Sequence, residues 1–354
     1  MLTLSSSWIA APVSVHHVGN KAAEESLILS SSPLRVDTDT TAALLRYFLS
    51  SFKNEQWYHF SHDISLAQNT VYECVRGIFE DPSSLHSRSV DLAKYLYGCC
   101  SHPRIKGGEL YVALLEGCSL NDCNYRAVGL FKSESSDTFL EVGSKGGVIT
   151  VQAKTGIDVK KLDKGALILE SEKGDGYRIL IVDNTSRSTE AQYWSVDFLG
   201  TLPVADAYFH TENVMDMTKK FVTEELPKTF SLDQGDKASI LAKGEQYFRE
   251  KESYDMGEFA REVFGADDSP EGEMIGDCFG KFAQSWQQER GVELQDSFDL
   301  NSDAVKRHAR TYRSVIKLDR NFHIYVHGGQ GLMEKGYDPE SGKSFYRIFF
   351  DEES

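Results

Sequence analysis

Lys306, Arg307, Arg310, Arg313, Lys317 and Arg320 crowd into residues 301–331, N-S-D-A-V-K-R-H-A-R-T-Y-R-S-V-I-K-L-D-R-N-F-H-I-Y-V-H-G-G-Q-G. Only Asp303 and Asp319 oppose them, so six positive against two negative charges leave +4 in a chain of formal net charge −16. A local reversal of sign is what a phosphate-contacting surface needs, because neutralising phosphates releases counterions and drives nucleic-acid binding. On a helix begun at Ser302, Lys306 and Arg310 stand at i and i+4, with Arg307 three residues before Arg310, so the three share a face. On a following strand, Arg313 and Lys317 differ by an even number and again share a face. Tyr312, Phe322 and Tyr325 are candidates for stacking on unpaired bases. Contacts of this kind reach mainly the backbone and carry little sequence specificity. The competing reading pairs these cations with the segment upstream, where residues 211–300 hold 21 acidic against 10 basic side chains, net −11. Such a run is ordinarily a solvated helix face, and its sharper reading is a lobe that contacts a protein partner.

Other reactive residues form no persuasive pattern. Gly328, Gly329 and Gly331 follow an expected strand, but a phosphate-cradling loop wants G-x-x-x-x-G-K-[ST] and a helix after it, so a turn is the better reading. A metal-dependent nuclease needs clustered carboxylates. Glu109, Glu116, Asp183 and Asp197 fall near expected strand ends and would have to meet there. Cys99, Cys100, His102, Cys118 and Cys123 would be the metal set. With Cys74 and Cys278 the chain has six cysteines but no C-x-x-C, and the adjacent pair at 99–100 suits neither a disulfide frame nor a zinc ribbon. Reduced thiols packed as small apolar groups fit better. No catalytic residue, metal ligand or cofactor is expected.

The elements that must carry these residues can be read in order. A chain of 354 residues favours two domains, or one core with an added lobe, and 40% hydrophobic residues with 20 Phe and 16 Tyr can build a sizeable core. No apolar run is long enough to span a bilayer, and the first residues lack a basic region before Lys21, so a cytoplasmic protein is expected. Residues 13–18 and 27–29 read as short strands, Asp37 to Thr40 as a helix cap, and 66–79 and 89–97 as helices. Residues 110–115, 127–131, 138–142, 148–152, 166–169 and 177–182 read as strands, and short links between them argue for an antiparallel sheet. Residues 193–199, Y-W-S-V-D-F-L, are expected to close it. Helical stripes follow, the clearest being Met256, Phe259, Ala260, Val263 and Phe264. Strands return at 314–318, 322–326 and 345–350.

Several segments together resemble a known family. Ser297-Phe298, Asp303, Lys306-Arg307, a strand, the Gly328-Gly329 region and Tyr337-Asp338-Pro339 are similar to the C-terminal signature of the bacterial nucleoid-associated proteins typified by NdpA. Upstream, Gly107-Gly108 with L-Y-V-A-L-L at 110–115, and V-D-F-L-G at 196–200, resemble segments of that family in the same order. His16-His17 and Leu27-Ile28-Leu29 match its N-terminus more loosely. The glycine cluster here lies after the second C-terminal strand rather than before it. The resemblance implies a nucleoid protein that binds nucleic acid directly or through a partner, and it supplies no catalytic residue.

The expectation is therefore an α+β protein with an N-terminal α+β domain (1–205), an acidic helical lobe (206–300) and a C-terminal basic helix with a strand meander (301–354). It is expected to bind DNA, or RNA, non-specifically through Lys306, Arg307, Arg310, Arg313, Lys317 and Arg320, in the cytoplasm at the nucleoid, as a homodimer and without catalysis. The alternatives are an acidic adaptor that holds another nucleoid protein, and a metal-dependent nuclease.

Overall fold

The structure, a computed structural model, describes residues 2–52, 56–185, 193–232, 234–265, 269–312, 314–318, 322–326 and 333–350. Its contacts divide the chain into two compact units, Met1–Val204 and Ala205–Ser354.

The first unit contains, in order, β1 (Leu2–Thr3), β2 (Trp8–Ile9), β3 (Ser14–Val18), β4 (Leu27–Leu29), α1 (Thr38–Leu49), β5 (Trp57–Phe60), α2 (Thr70–Glu80) and α3 (Leu85–Cys99). Then come β6 (Gly108–Leu120), β7 (Cys123–Ser133), β8 (Asp137–Lys145), β9 (Val148–Gly156), β10 (Lys164–Leu169), β11 (Arg178–Asp183) and β12 (Thr201–Pro203). One sheet has the order β12-β5-β11-β10-β7-β6-β3-β4, with β1 and β2 also on β6. The pairings around its long central strands are antiparallel, including β6–β7 and β10–β11, which short links join. The apolar run at 110–115 does not alternate because both faces of the sheet are covered. Leu110, Val112 and Leu114 pack with Val71, Val75 and Ile78 of α2 and Leu92 and Leu96 of α3. Tyr111, Ala113 and Leu115 belong to a second cluster with Tyr47 and Phe48 of α1. Successive strand residues point to opposite faces, so one unbroken run fills two cores.

Local chemistry sets the helix starts. The Asp37 carboxylate accepts from Thr40 N–H at 2.7 Å, and the Asn69 side chain accepts from Tyr72 N–H at 2.9 Å, each satisfying a free donor of a first turn. Gly108 opens β6 because a Cβ there would collide with the Ser133 carbonyl of the neighbouring strand.

One expected strand is absent. Tyr193–Phe198 is π-helical, and it does not close the sheet. Tyr193, Trp194, Phe198 and Leu199 are buried while Val196 is exposed, a spacing of one, five and six that fits a helical face and not a pleat. Gly200, in the left-handed region at φ 62°, turns the chain back. The sheet edge is supplied by β5 and β12 instead.

The second unit contains α4 (Ala207–Lys220), α5 (Leu226–Thr229), α6 (Gln234–Glu250), β13 (Ser253–Asp255), α7 (Met256–Phe264), α8 (Pro270–Arg290), β14 (Ser297–Asp299) and α9 (Ser302–Tyr312). Two hairpins follow, β15 (Ser314–Leu318) with β16 (Phe322–Val326) and β17 (Met333–Asp338) with β18 (Lys343–Ile348). Phe259, Val263 and Phe264, from the stripe read in the sequence, form a core with Leu241, Tyr247, Phe248, Ile275, Phe279 and Trp286. The whole is α+β: a large antiparallel sheet with flanking helices, a helical lobe and C-terminal strands.

Candidate nucleic-acid interface

The basic stretch begins on α9. Its cap is Asn301, whose Oδ1 accepts from Asp303 N–H and Ala304 N–H, both at 3.0 Å. The helix buries Ala304, Val305 and Tyr312. The opposite face carries Lys306, 76% exposed, and Arg307, also exposed. Lys306 Nζ meets Asp303 Oδ1 of its own helix at 3.4 Å, a surface pair of small energetic value that leaves the ammonium accessible. Arg307 donates to the Tyr208 hydroxyl at 3.2 Å.

The remaining basic residues are placed less fully. Arg310 is one turn beyond Lys306 on α9, but its side chain lies outside the described residues, as do Arg313 and Arg320 altogether. Lys317 sits on β15 opposite His323, with its side chain likewise outside the described set. The glycines at 328, 329 and 331 also lie outside it.

Tyr312 does not stack on bases. It is buried, and its hydroxyl donates to the Met215 carbonyl of α4 at 2.6 Å. Burial drives its phenol well above the ordinary range. A tyrosine six residues beyond Lys306 lies about 120° round the helix from the lysine, on the side that also buries Ala304 and Val305, and so serves the core. Phe322 is 66% exposed. The pairing of this stretch with the acidic lobe is realised at His308, whose Nε2 lies 2.9 Å from Glu212 Oε1.

A family model described as Nucleoid-associated protein YejK matches residues 14–345. The chain belongs to this family. No curated protein matches it. The segments that resemble the nucleoid-associated signature have definite structural work in this family member. In V-D-F-L-G, Phe198 and Leu199 are core residues and Gly200 makes the left-handed turn. In Y-D-P, Asp338 organises the β17–β18 turn by accepting from Glu340 N–H at 3.0 Å and from the Ser341 hydroxyl at 2.5 Å. As a member of this family the protein is nucleoid-associated, and no helix among its described residues is long and apolar enough to cross a membrane.

The carboxylates weighed for a nuclease do not gather. Glu109 and Glu116 are seven residues apart on β6, about 23 Å in an extended strand. Glu109 Oε1 is 3.2 Å from His17 Nδ1, Asp183 is held by Lys164, and Asp197 lies on the π-helical segment. Among the described residues no group of His, Cys, Asp and Glu is arranged to hold a metal ion, and Cys74, Cys100 and Cys118 are buried thiols.

The nucleoid-associated protein also contains a buried charge network not anticipated from the sequence. Lys132 Nζ contacts Glu134 Oε1 at 2.9 Å, the Tyr193 hydroxyl at 3.1 Å and the Lys106 carbonyl at 2.6 Å. Lys164 Nζ reaches both Asp183 oxygens at 2.8 Å, and Thr185 donates to Glu134 Oε2 at 2.9 Å. Burial alone would raise the Glu134 carboxyl, but Lys132, Lys164 and the Tyr193 hydroxyl outweigh it and hold the group below the usual carboxylate range. The network joins the ends of β7, β10 and β11 to the segment carrying Tyr193. The available signal was a lysine placed directly after V-G-L-F in β7 and another directly before G-A-L-I-L in β10.

Proposed function

We propose that this nucleoid-associated protein binds DNA, or RNA, without sequence preference through the outer face of α9, acts as a homodimer, and performs no catalysis. The observation that carries the reading is the exposed Lys306 beside Arg307 on a helix whose other face is anchored in the core. A helix fixed in this way presents cations at one position and can follow a phosphate backbone, with Arg310, Arg313, Lys317 and Arg320 extending the surface. Local positive charge within an acidic chain favours weak, salt-sensitive coating over tight operator binding. A gel-shift series with duplex DNA at several salt concentrations tests this. Binding should weaken steeply with salt and collapse in Lys306→Ala/Arg307→Ala/Arg310→Ala. Binding that survives the triple variant rejects this face. Magnesium-dependent loss of the DNA, abolished by Asp183→Ala, rejects the non-catalytic reading.

A second reading has an observation of its own. A groove of about 420 Å³ in the helical lobe is lined by Phe221, Leu226, Phe230, Phe282 and Trp286, with Glu225, Glu289 and Lys281 among its polar residues and Glu225 paired to Lys228. A largely apolar groove on helices suits a protein adaptor that grips an amphipathic segment of another nucleoid protein. Absence of DNA binding at low salt, with a specific partner lost on Phe282→Asp, would favour it.

A further inference from the structure

The hairpin β8–β9 lies outside the large sheet, and among the described residues its strands pair only with each other. Its two faces differ. One carries Asp137, Glu141 and Lys154, with Lys154 Nζ at 2.5 Å from Glu141. The other carries no charge: Leu140 pairs with Ala153, Val142 with Val151, and Ser144 with Ile149. Leu140, Val142, Ile149 and Val151 are 67%, 66%, 68% and 58% exposed. A two-stranded ribbon is marginal in water by itself, and a continuous exposed apolar face on a soluble chain marks a surface that is covered in use.

We propose that this face packs against the same face of a second copy of the chain. Two features favour that occupant. The first is charge. Asp137 and Glu141 are balanced by Lys145 and Lys154, so the hairpin is neutral in a chain of −16, and two copies can meet here without the repulsion they meet elsewhere. A neutral arm has no attraction for phosphates. The second feature is shape. The pattern of large and small residues inverts about the Val142–Val151 pair. Stacking two ribbons antiparallel across a two-fold axis at that pair sets Leu140 on the partner's Ser144 and Ile149 on the partner's Ala153. Large side chains then sit on small ones on either side of the axis, with Val142 and Val151 each meeting its own copy at the centre, an arrangement that allows close packing between sheets. The interface is isologous, as a two-fold dimer requires.

The inference names the surface of the homodimer proposed above and rests on that part of it alone. Sedimentation equilibrium of the full chain should show a dimer, and Val142→Lys/Ile149→Lys should raise its dissociation constant at least a hundredfold. Circular dichroism should show both proteins folded. Val142→Cys, which the two-fold places against its own copy, should form a disulfide-linked dimer with oxidised glutathione. The wild-type chain, whose exposed Cys123 lies outside the face, should not. A monomeric wild-type chain overturns the homodimer and the surface together. A wild-type dimer unaffected by the lysines overturns the surface only, as does a double-lysine variant that keeps its dimer but loses DNA or vesicle binding.

Discussion

Lys164 and Asp183 are direct partners in the β10–β11 register, and the lysine ammonium lies 2.8 Å from both carboxylate oxygens. Lys164 is almost wholly buried, and Glu134 Oε2 stands 3.9 Å from the same nitrogen. Removing one member of a buried pair leaves the other charge uncompensated, which costs about 3–5 kcal/mol, whereas replacing both with apolar groups is often close to neutral. Lys164→Met should therefore lower unfolding free energy by roughly 3 kcal/mol or more in urea titrations. Lys164→Met/Asp183→Leu should recover much of that loss. A double variant that loses as much as Lys164→Met and Asp183→Leu added together would mean that the pair is not coupled.

His16 gives the first unit a pH response. Its Nδ1 accepts from Ser30 N–H at 3.1 Å, so Nε2 carries the proton and donates to the Ser89 hydroxyl at 2.8 Å. Burial, with the neighbouring His86, lowers its pKa from 6.5 to about 4. The unfolded chain therefore takes up the proton first as pH falls, and stability declines from pH 6.5 until the folded ring also protonates near 4. The full effect is about 3 kcal/mol. Stability curves for wild type and His16→Gln at pH 7.5 and pH 4.5 should converge at the lower pH. A constant gap between them would remove His16 from the acid response.

Much of the first unit was legible because its residues repeat. The strands of the central sheet and the helices at α1, α2 and α3 follow from apolar spacing and from Asp37 and the turn residues around them, as α7 does in the second unit. Tyr193–Phe198 was not legible as a helix, because W-S-V-D-F alternates well enough to pass for a strand until burial reveals its face. The edge strand β12 and its neighbour β5 are short, and their pairing depends on partners distant in the chain. The basic helix was legible from charge and spacing, yet the role of Tyr312 was not. An aromatic beside arginines looks the same in sequence whether it meets a base or a core. The Lys132–Glu134–Lys164–Asp183 network escaped because lone charges at strand ends are ordinarily solvated.

Tyr312 supplies a test that separates anchoring from contact. Its hydroxyl bonds to the Met215 carbonyl inside the core of the second unit. Tyr312→Phe keeps the ring and removes that bond from a carbonyl that retains its own helical partner, at a cost of about 1 kcal/mol. Thermal unfolding should fall accordingly, while DNA affinity of the folded protein at 20 °C stays unchanged. A large loss of affinity without loss of stability would return Tyr312 to the binding surface.

Lys306 makes the sharpest prediction for the interface, because its exposure and its weak tie to Asp303 leave it able to meet a phosphate. Each phosphate neutralised contributes about −0.9 to the slope of log K against log salt for duplex DNA. Lys306→Ala should thus weaken binding by a similar factor on unrelated sequences and reduce the slope by about 1. Asp303→Asn, which releases the lysine from its helix neighbour and removes a negative charge, should strengthen binding with the slope unchanged or slightly steeper. Fluorescence anisotropy over a salt series measures both. A Lys306→Ala slope equal to wild type would show that phosphates are met elsewhere on the chain, whatever the change in affinity.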